Sequence, residues 1–429
     1  MKRRILCSML CLLLLTGCSS KNEYVSYKET AKKDSVLEVQ RRDVEKLDEE
    51  KISMKTESLD EKEEKNTTEQ EDETNIEKTL NQQLDMYLNQ MTIEEKIGQL
   101  FMIAIRKDEN GMPVTTISKK IKEIINNYHV GGIILFSENI ETKEQTQTLI
   151  KDLQNAAHIP LFIGVDEEGG IVSRVGKKKA INKVPFKEAY AIGQTGDTSL
   201  AYKEARRMGA MLNELGFNMD FAPVADIYNE PSNQVIGKRS FGKTSTEVVP
   251  MVLAFSKGLL EENIQPVVKH FPGHGNTIED SHQGIAYVHK DLVALEEEEL
   301  LPFRKAIEEG VGAIMKGHLL VPAVDETTIV SLSDKWNSYM ESQFDLSDTL
   351  VMTDAMDMGA VIKNYGSGEA ACLSLMAGND ILLMPYDLEK AYEGILKAYE
   401  EGRISKERIE ISVRKILSKK VAQKILVLA

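Results

Sequence analysis

The chain has 429 residues, 53 Lys and Arg against 68 Asp and Glu, a formal charge of −15 and 42% hydrophobic residues. This balance describes a water-soluble globular protein, and with no basic block beyond Lys177-Lys178-Lys179 it excludes counterion-driven binding to nucleic acid. Cys7, Cys11 and Cys18 lie in the first 18 residues, which leaves Cys372 alone in the body, so neither an internal disulfide nor a cysteine-based zinc site can form there.

The opening MKRRILCSMLCLLLLTGC joins a basic start at Lys2, Arg3 and Arg4 to an apolar stretch of signal-peptide length, too short for a stable membrane span. Its tail, Leu15-Thr16-Gly17-Cys18, resembles the bacterial lipobox, which implies cleavage before Cys18 and a diacylglyceryl thioether on that residue. Residues 1–17 are therefore expected to be a lipoprotein signal peptide, and the chain to be extracytoplasmic and anchored to a membrane, each buried methylene contributing about 0.8 kcal/mol. From Lys21 to Lys78 there are 12 basic and 19 acidic residues and no Gly or Pro. Such a stretch buries too little apolar surface to offset its ordering entropy, so 18–81 is expected to be a disordered or partly helical tether.

From residue 82 onward, short apolar runs alternate with amphipathic, helix-periodic stretches, the pattern of β/α units. The runs are Phe101 to Ile105, Gly132 to Phe136, Leu161 to Val165, Met219 to Pro223, Pro266 to Lys269, Ala313 to Met315, Thr349 to Met352 and Ile381 to Met384. Eight runs predict an α/β fold, a single-domain (β/α)8 TIM-type barrel over 82–429. A doubly wound open sheet is the alternative. Against it, the first run leads into RKDENGMP rather than a Gly-rich phosphate turn.

A barrel places its chemistry at the carboxyl ends of its strands. There the third run ends in Asp166-Glu167-Glu168-Gly169-Gly170, the fifth in Lys269-His270 and the seventh in Thr353-Asp354. KHFPGHGNTIEDSH then gathers Lys269, His270, His274, Asp280 and His282 within 14 residues. Two chemistries fit this cluster. One is a metal site of His270, His274, Asp280 and His282, which lacks the HExxH spacing. The other is an Asp280–His282 dyad, the carboxylate orienting an imidazole for general acid/base work, with Asp354 left as nucleophile. A Schiff base on Lys269 is a third option that the neighbouring Asp-x-His pair does not need. His274 and His318 are expected to be structural, and Trp336 to be core or helix surface.

KHFPGHGNTIEDSH and VMTDAMDM resemble the two signatures of bacterial β-N-acetylglucosaminidases of glycoside hydrolase family 3. MTIEEKIGQL, GGIILF, VDEEGG, FAPVADI, IGKRSFG and AGNDILLMP extend the resemblance over nearly all of 91–400. It implies Asp354 as nucleophile, His282 as acid/base and Asp280 as its partner. Asp166, Arg174, Arg239, Lys269 and His270 would bind the non-reducing N-acetylglucosamine. One departure is Ile171, which stands after Gly169-Gly170 where many relatives have Arg. The expected activity is that of a retaining exo-β-N-acetylglucosaminidase acting as a monomer, without metal or cofactor, on cell-wall saccharides. Because the chain ends at 429, the C-terminal domain of some relatives is expected to be absent. The alternative function is a sugar-binding lipoprotein of a transport system without hydrolase activity.

Overall fold

The computed structural model describes residues 78–428 apart from 279, 282 and 283. The expected signal peptide, Cys18, nearly all of the tether and His282 lie outside the described residues. Thr79–Ala429 form one compact unit.

The strands, in chain order, are β1 (Phe101–Ala104), β2 (Gly132–Ile134), β3 (Phe162–Val165), β4 (Glu167–Gly169), β5 (Val172–Ser173), β6 (Met219–Asp220) and β7 (Gln265–Pro266). They continue as β8 (Val268–Phe271), β9 (Ala286–Tyr287), β10 (Ala313–Lys316), β11 (Leu319–Leu320), β12 (Leu350–Thr353) and β13 (Leu382–Leu383). Seven of the eight apolar runs each overlap one of these strands, and the fifth, Pro266 to Lys269, overlaps two, β7 and β8. The runs read as continuously apolar because the strands are covered on both faces: β2, β3, β8, β10 and β12 are buried along their whole length.

The helices between them start where the sequence supplies a cap. Ser118, Asp197 and Thr244 accept backbone N–H groups at the starts of Lys119–Tyr128, Thr198–Leu215 and Ser245–Leu260. Thr92 and Glu95 form a reciprocal capping box on Ile93–Gln99. The helix Lys119–Tyr128 turns an apolar stripe inward through Ile121 and Ile125. Trp336 is fully buried and packs edge-on against Phe271 at 5.7 Å, so it belongs to the core behind β8 and not to a sugar platform.

The expected single closed eight-stranded barrel needs correction. The ladders form two curled parallel sheets, one of six strands in the order β13-β1-β2-β3-β6-β7 and one of three in the order β12-β10-β8. Between the two sheets the pairing shrinks to single isolated bridges, Val224–Lys269 and Met352–Ile381. At the first seam Pro223 and Pro266 have no N–H to give to a ladder. At the second, side chains replace ladder partners: Val351 N–H donates to Asp380 Oδ2 at 3.0 Å and Leu383 N–H to Thr353 Oγ1 at 3.0 Å. Two small pairings outside the eight runs complete the topology, the antiparallel hairpin β4–β5 and the parallel pair β9–β11.

Candidate active site

A cavity of about 410 Å³ opens at the carboxyl ends of the strands, and Asp166, Arg174, Arg239, Lys269, His270 and Asp354 all line it. Six of the residues singled out in the sequence, spread over 189 positions from 166 to 354, thus meet in one place. Asp280 is half-buried in the loop after β8, where its neighbour Ser281 reaches the cavity wall. The expected Asp280–His282 dyad lies in part outside the described residues, because His282 does.

The floor is an ion-pair array built by strand alternation. Side chains two apart in extended backbone share a side. Accordingly Asp166 and Glu168 both reach Lys269, at 2.8 and 2.6 Å, while Glu167 turns away to accept the backbone N–H groups of Val175 and Gly176. Arg239, on a 3₁₀ turn at Gly237–Arg239, grips Glu168 with two bonds of 2.8 Å. Paired donors and acceptors of this geometry are among the strongest charge-assisted contacts. Burial works against the charged form of Glu168, but Arg239 and Lys269 outweigh it and hold the carboxyl far below the usual range. Burial likewise disfavours the Lys269 ammonium, and Asp166 and Glu168 more than restore it, so the lysine stays protonated.

Arg174 is tied less closely. Its terminal nitrogen is 3.8 Å from Asp166, and its buried Nε has no hydrogen-bond partner among the described residues. Its guanidinium therefore keeps donors to spare for a ligand.

Asp354 follows β12 and accepts the backbone N–H of Ala355 at 2.7 Å. Burial raises its proton affinity; His270, His318, that amide and Lys269 together lower it further, leaving the carboxyl below its ordinary value. It stands as an anion at neutral pH, the form a nucleophile requires.

Both described histidines of the β8 loop are held by protein partners. His270 Nδ1 lies 2.6 Å from Asp226, and its Nε2 faces Arg239 at 3.3 Å. His274 is held between Thr277 at 2.6 Å and Ser281 at 2.9 Å, and burial pushes its pKa down to about 4. It is a neutral, structural imidazole at physiological pH. His318 is fully buried and bonded to Ser331 and to the carbonyl of Ala355, the residue after Asp354.

Sequence reasoning passed over Glu168 and Asp226. Glu168 was legible in principle, since Asp-Glu-Glu after a strand end puts its first and third residues on one side. Asp226 carried no such signal. It is buried in the loop after β6, where it accepts the backbone N–H of His274 at 2.6 Å and meets the ring of His270. Only the fold brings it within reach of residues 44 and 48 positions away.

The family profile described as "Glycosyl hydrolase family 3 N terminal domain" matches residues 92–419. "Beta-hexosaminidase A" of Pseudoalteromonas piscicida is 32% identical over 365 residues, covering 76% of this chain and 60% of that protein. "Beta-hexosaminidase LpqI" of Mycobacterium tuberculosis is 30% identical over 335 residues, with 76% of this chain and 82% of the relative covered. Among solved structures, a glycoside hydrolase family 3 β-N-acetylglucosaminidase from a Paenibacillus species superposes with a TM-score of 0.73 at 36% identity, over 79% of this chain and 65% of that one. The chain thus spans less than two thirds of the length of the first and third of these relatives.

Proposed function

This chain belongs to glycosyl hydrolase family 3, and from that premise we propose that it is a retaining exo-β-N-acetylglucosaminidase. The observation that carries the proposal is Asp354: an ionised carboxylate lining the same cavity as the Asp166–Lys269–Glu168–Arg239 array. An array of fixed charged donors and acceptors holds one polar ring by its hydroxyls, and the carboxylate beside it attacks the anomeric carbon. The relatives named β-hexosaminidase and β-N-acetylglucosaminidase supply the sugar.

In this mechanism the C1–O bond to the leaving sugar breaks as a bond forms between C1 and an Asp354 oxygen. The departing oxygen takes a proton from His282, which Asp280 orients. Water, deprotonated by His282, then attacks C1, releases Asp354 and returns the β configuration. The substrates are non-reducing N-acetylglucosamine termini of peptidoglycan-derived fragments, and the working location is the outer face of a membrane, through a lipid on Cys18.

Hydrolysis of a chromogenic β-N-acetylglucosaminide tests the proposal. Release of β-N-acetylglucosamine as the first-formed anomer, lost in Asp354→Asn, is the expected result. Binding of the sugar without turnover would instead favour a transport-type binding protein, and release of the α anomer would exclude a covalent intermediate on Asp354.

A further inference from the structure

The loop after β8 is organised around one ring. His274 is 2% exposed, and both ring nitrogens and both backbone polar groups are engaged. Its amide donates to Asp226 at 2.6 Å, the carboxylate that also meets His270, and its carbonyl accepts the side-chain amide of Asn233 at 2.7 Å. Gly275, next in the chain, lies so close to the backbone of Ile227 that a Cβ there would come within 1.9 Å of the Ile227 carbonyl oxygen. Asp226, Ile227 and Asn233 all belong to the segment between β6 and β7. The start of the loop is therefore fastened to the neighbouring strand's extension.

The bonds of the ring fix its tautomer. Thr277 Oγ1 donates its proton to the His274 carbonyl at 3.0 Å, so it receives the Nδ1–H of the ring at 2.6 Å. Burial keeps the imidazole neutral, which leaves Nε2 a bare acceptor, and the Ser281 hydroxyl donates to it at 2.9 Å. A ring that donates on one side and accepts on the other thus spans the loop from position 277 to position 281. Ser281 is itself 1% exposed and lines the cavity together with His274 and Asp354. In the chain it stands between Asp280 and His282, and consecutive Cα atoms are no more than about 3.8 Å apart. Whatever holds Ser281 therefore limits the positions open to its two chain neighbours.

We infer that His274 is a positioning residue for general acid/base catalysis: by accepting the Ser281 hydroxyl it holds the Asp280-Ser281-His282 segment at the cavity that Asp354 lines. The inference rests on the acid/base role proposed above for His282. It gives His274 no part in bond making at C1, and its effect is on proton delivery to the departing oxygen.

Two aryl β-N-acetylglucosaminides test it. Dinitrophenolate departs without a proton, whereas phenolate needs one. The ratio of kcat/KM for the phenyl glycoside to that for the 2,4-dinitrophenyl glycoside therefore reads proton delivery, and any loss of folded protein cancels from it. His282→Ala sets the scale and should lower the ratio about a hundredfold. Ser281→Ala should lower it about tenfold, and so should His274→Asn, whose amide overlies Nδ1 and falls short of Ser281. The double variant should fall no further than either alone, because both changes remove the same bond. His274→Gln, whose amide reaches the position of Nε2, should stay within about threefold of wild type. A ratio within about twofold of wild type in both Ser281→Ala and His274→Asn, with His282→Ala still strongly depressed, would overturn the inference alone. A ratio unmoved in His282→Ala would overturn the acid/base role of His282 and the inference with it.

Discussion

The Lys269 ammonium lies 2.6 Å from a Glu168 carboxylate oxygen, and both side chains are only 3% exposed. Water cannot screen a pair at that depth, so each charge relies on the other and on its second partner, Asp166 for the lysine and Arg239 for the glutamate. The same pairing fixes the direction of two buried cations at the floor of the cavity. Stability and substrate binding are thereby linked through one carboxylate.

Glu168→Gln should therefore weaken both properties together. Removing one partner of a buried ion pair leaves the others uncompensated, at a cost of about 3 kcal/mol in urea unfolding. KM for a β-N-acetylglucosaminide should rise at least tenfold as Lys269 and Arg239 lose their fixed positions. Unchanged stability with unchanged KM would show that the array is not held through Glu168.

Glu168 also predicts acid lability. Its folded carboxyl is depressed below the unfolded value, so its stabilisation is complete above the unfolded value of about 4.3 and is lost as pH falls below it. His274 acts in the same direction over a higher window. Its folded pKa of about 4 lies below the ordinary 6.5, so between these values the unfolded chain binds more protons, and stability declines as pH drops. His274→Asn should narrow the difference in unfolding free energy between pH 7 and pH 4.5. An unaltered difference would mean that His274 is not buried as a neutral imidazole.

At alkaline pH the same sign holds for a buried lysine. Lys420 is buried, donates to Gln99 at 2.7 Å, and has its pKa pushed down to about 7 by burial. From about pH 7 to 10 the unfolded chain again binds more protons, so stability should rise with pH across that window. Lys316, also pushed down to about 7, contributes to the same rise. Lys420→Met should remove part of it, as thermal melts at pH 7 and pH 9.5 would record. A rise as large as in wild type would contradict the assignment.

Much of the fold was legible in the sequence for a specific physical reason. Strands covered on both faces read as unbroken apolar runs, and all eight runs hold strands. The joints between the sheets were not legible, because there Asp380, Thr353 and two prolines decide the hydrogen bonding, and a hydropathy pattern carries nothing about which carbonyl a side chain will replace. The cavity divides in the same way. Asp166, Lys269, His270 and Asp354 stand at strand ends, where periodicity marks them. Arg174 and Arg239 come from a hairpin and a 3₁₀ turn and were found through the family resemblance. Asp226, which orients His270 from the loop after β6, becomes visible only when the fold is known.

Asp354 should set the acid side of the activity profile. With burial opposed and outweighed by His270, His318, the Ala355 amide and Lys269, its carboxyl ionises below the ordinary aspartate value of about 3.9. The acid limb of kcat/KM should accordingly lie at or below that pH for as long as the protein stays folded. A limb near pH 6 would point to a different group.

Trapping the covalent intermediate tests the central claim most directly. A 5-fluoro β-N-acetylglucosaminyl donor with a good leaving group should inactivate the protein with one equivalent of sugar, and mass spectrometry of the digest should place that sugar on Asp354, within residues 349–360. A label on any other peptide, or full inactivation of Asp354→Asn by the same reagent, would contradict the account.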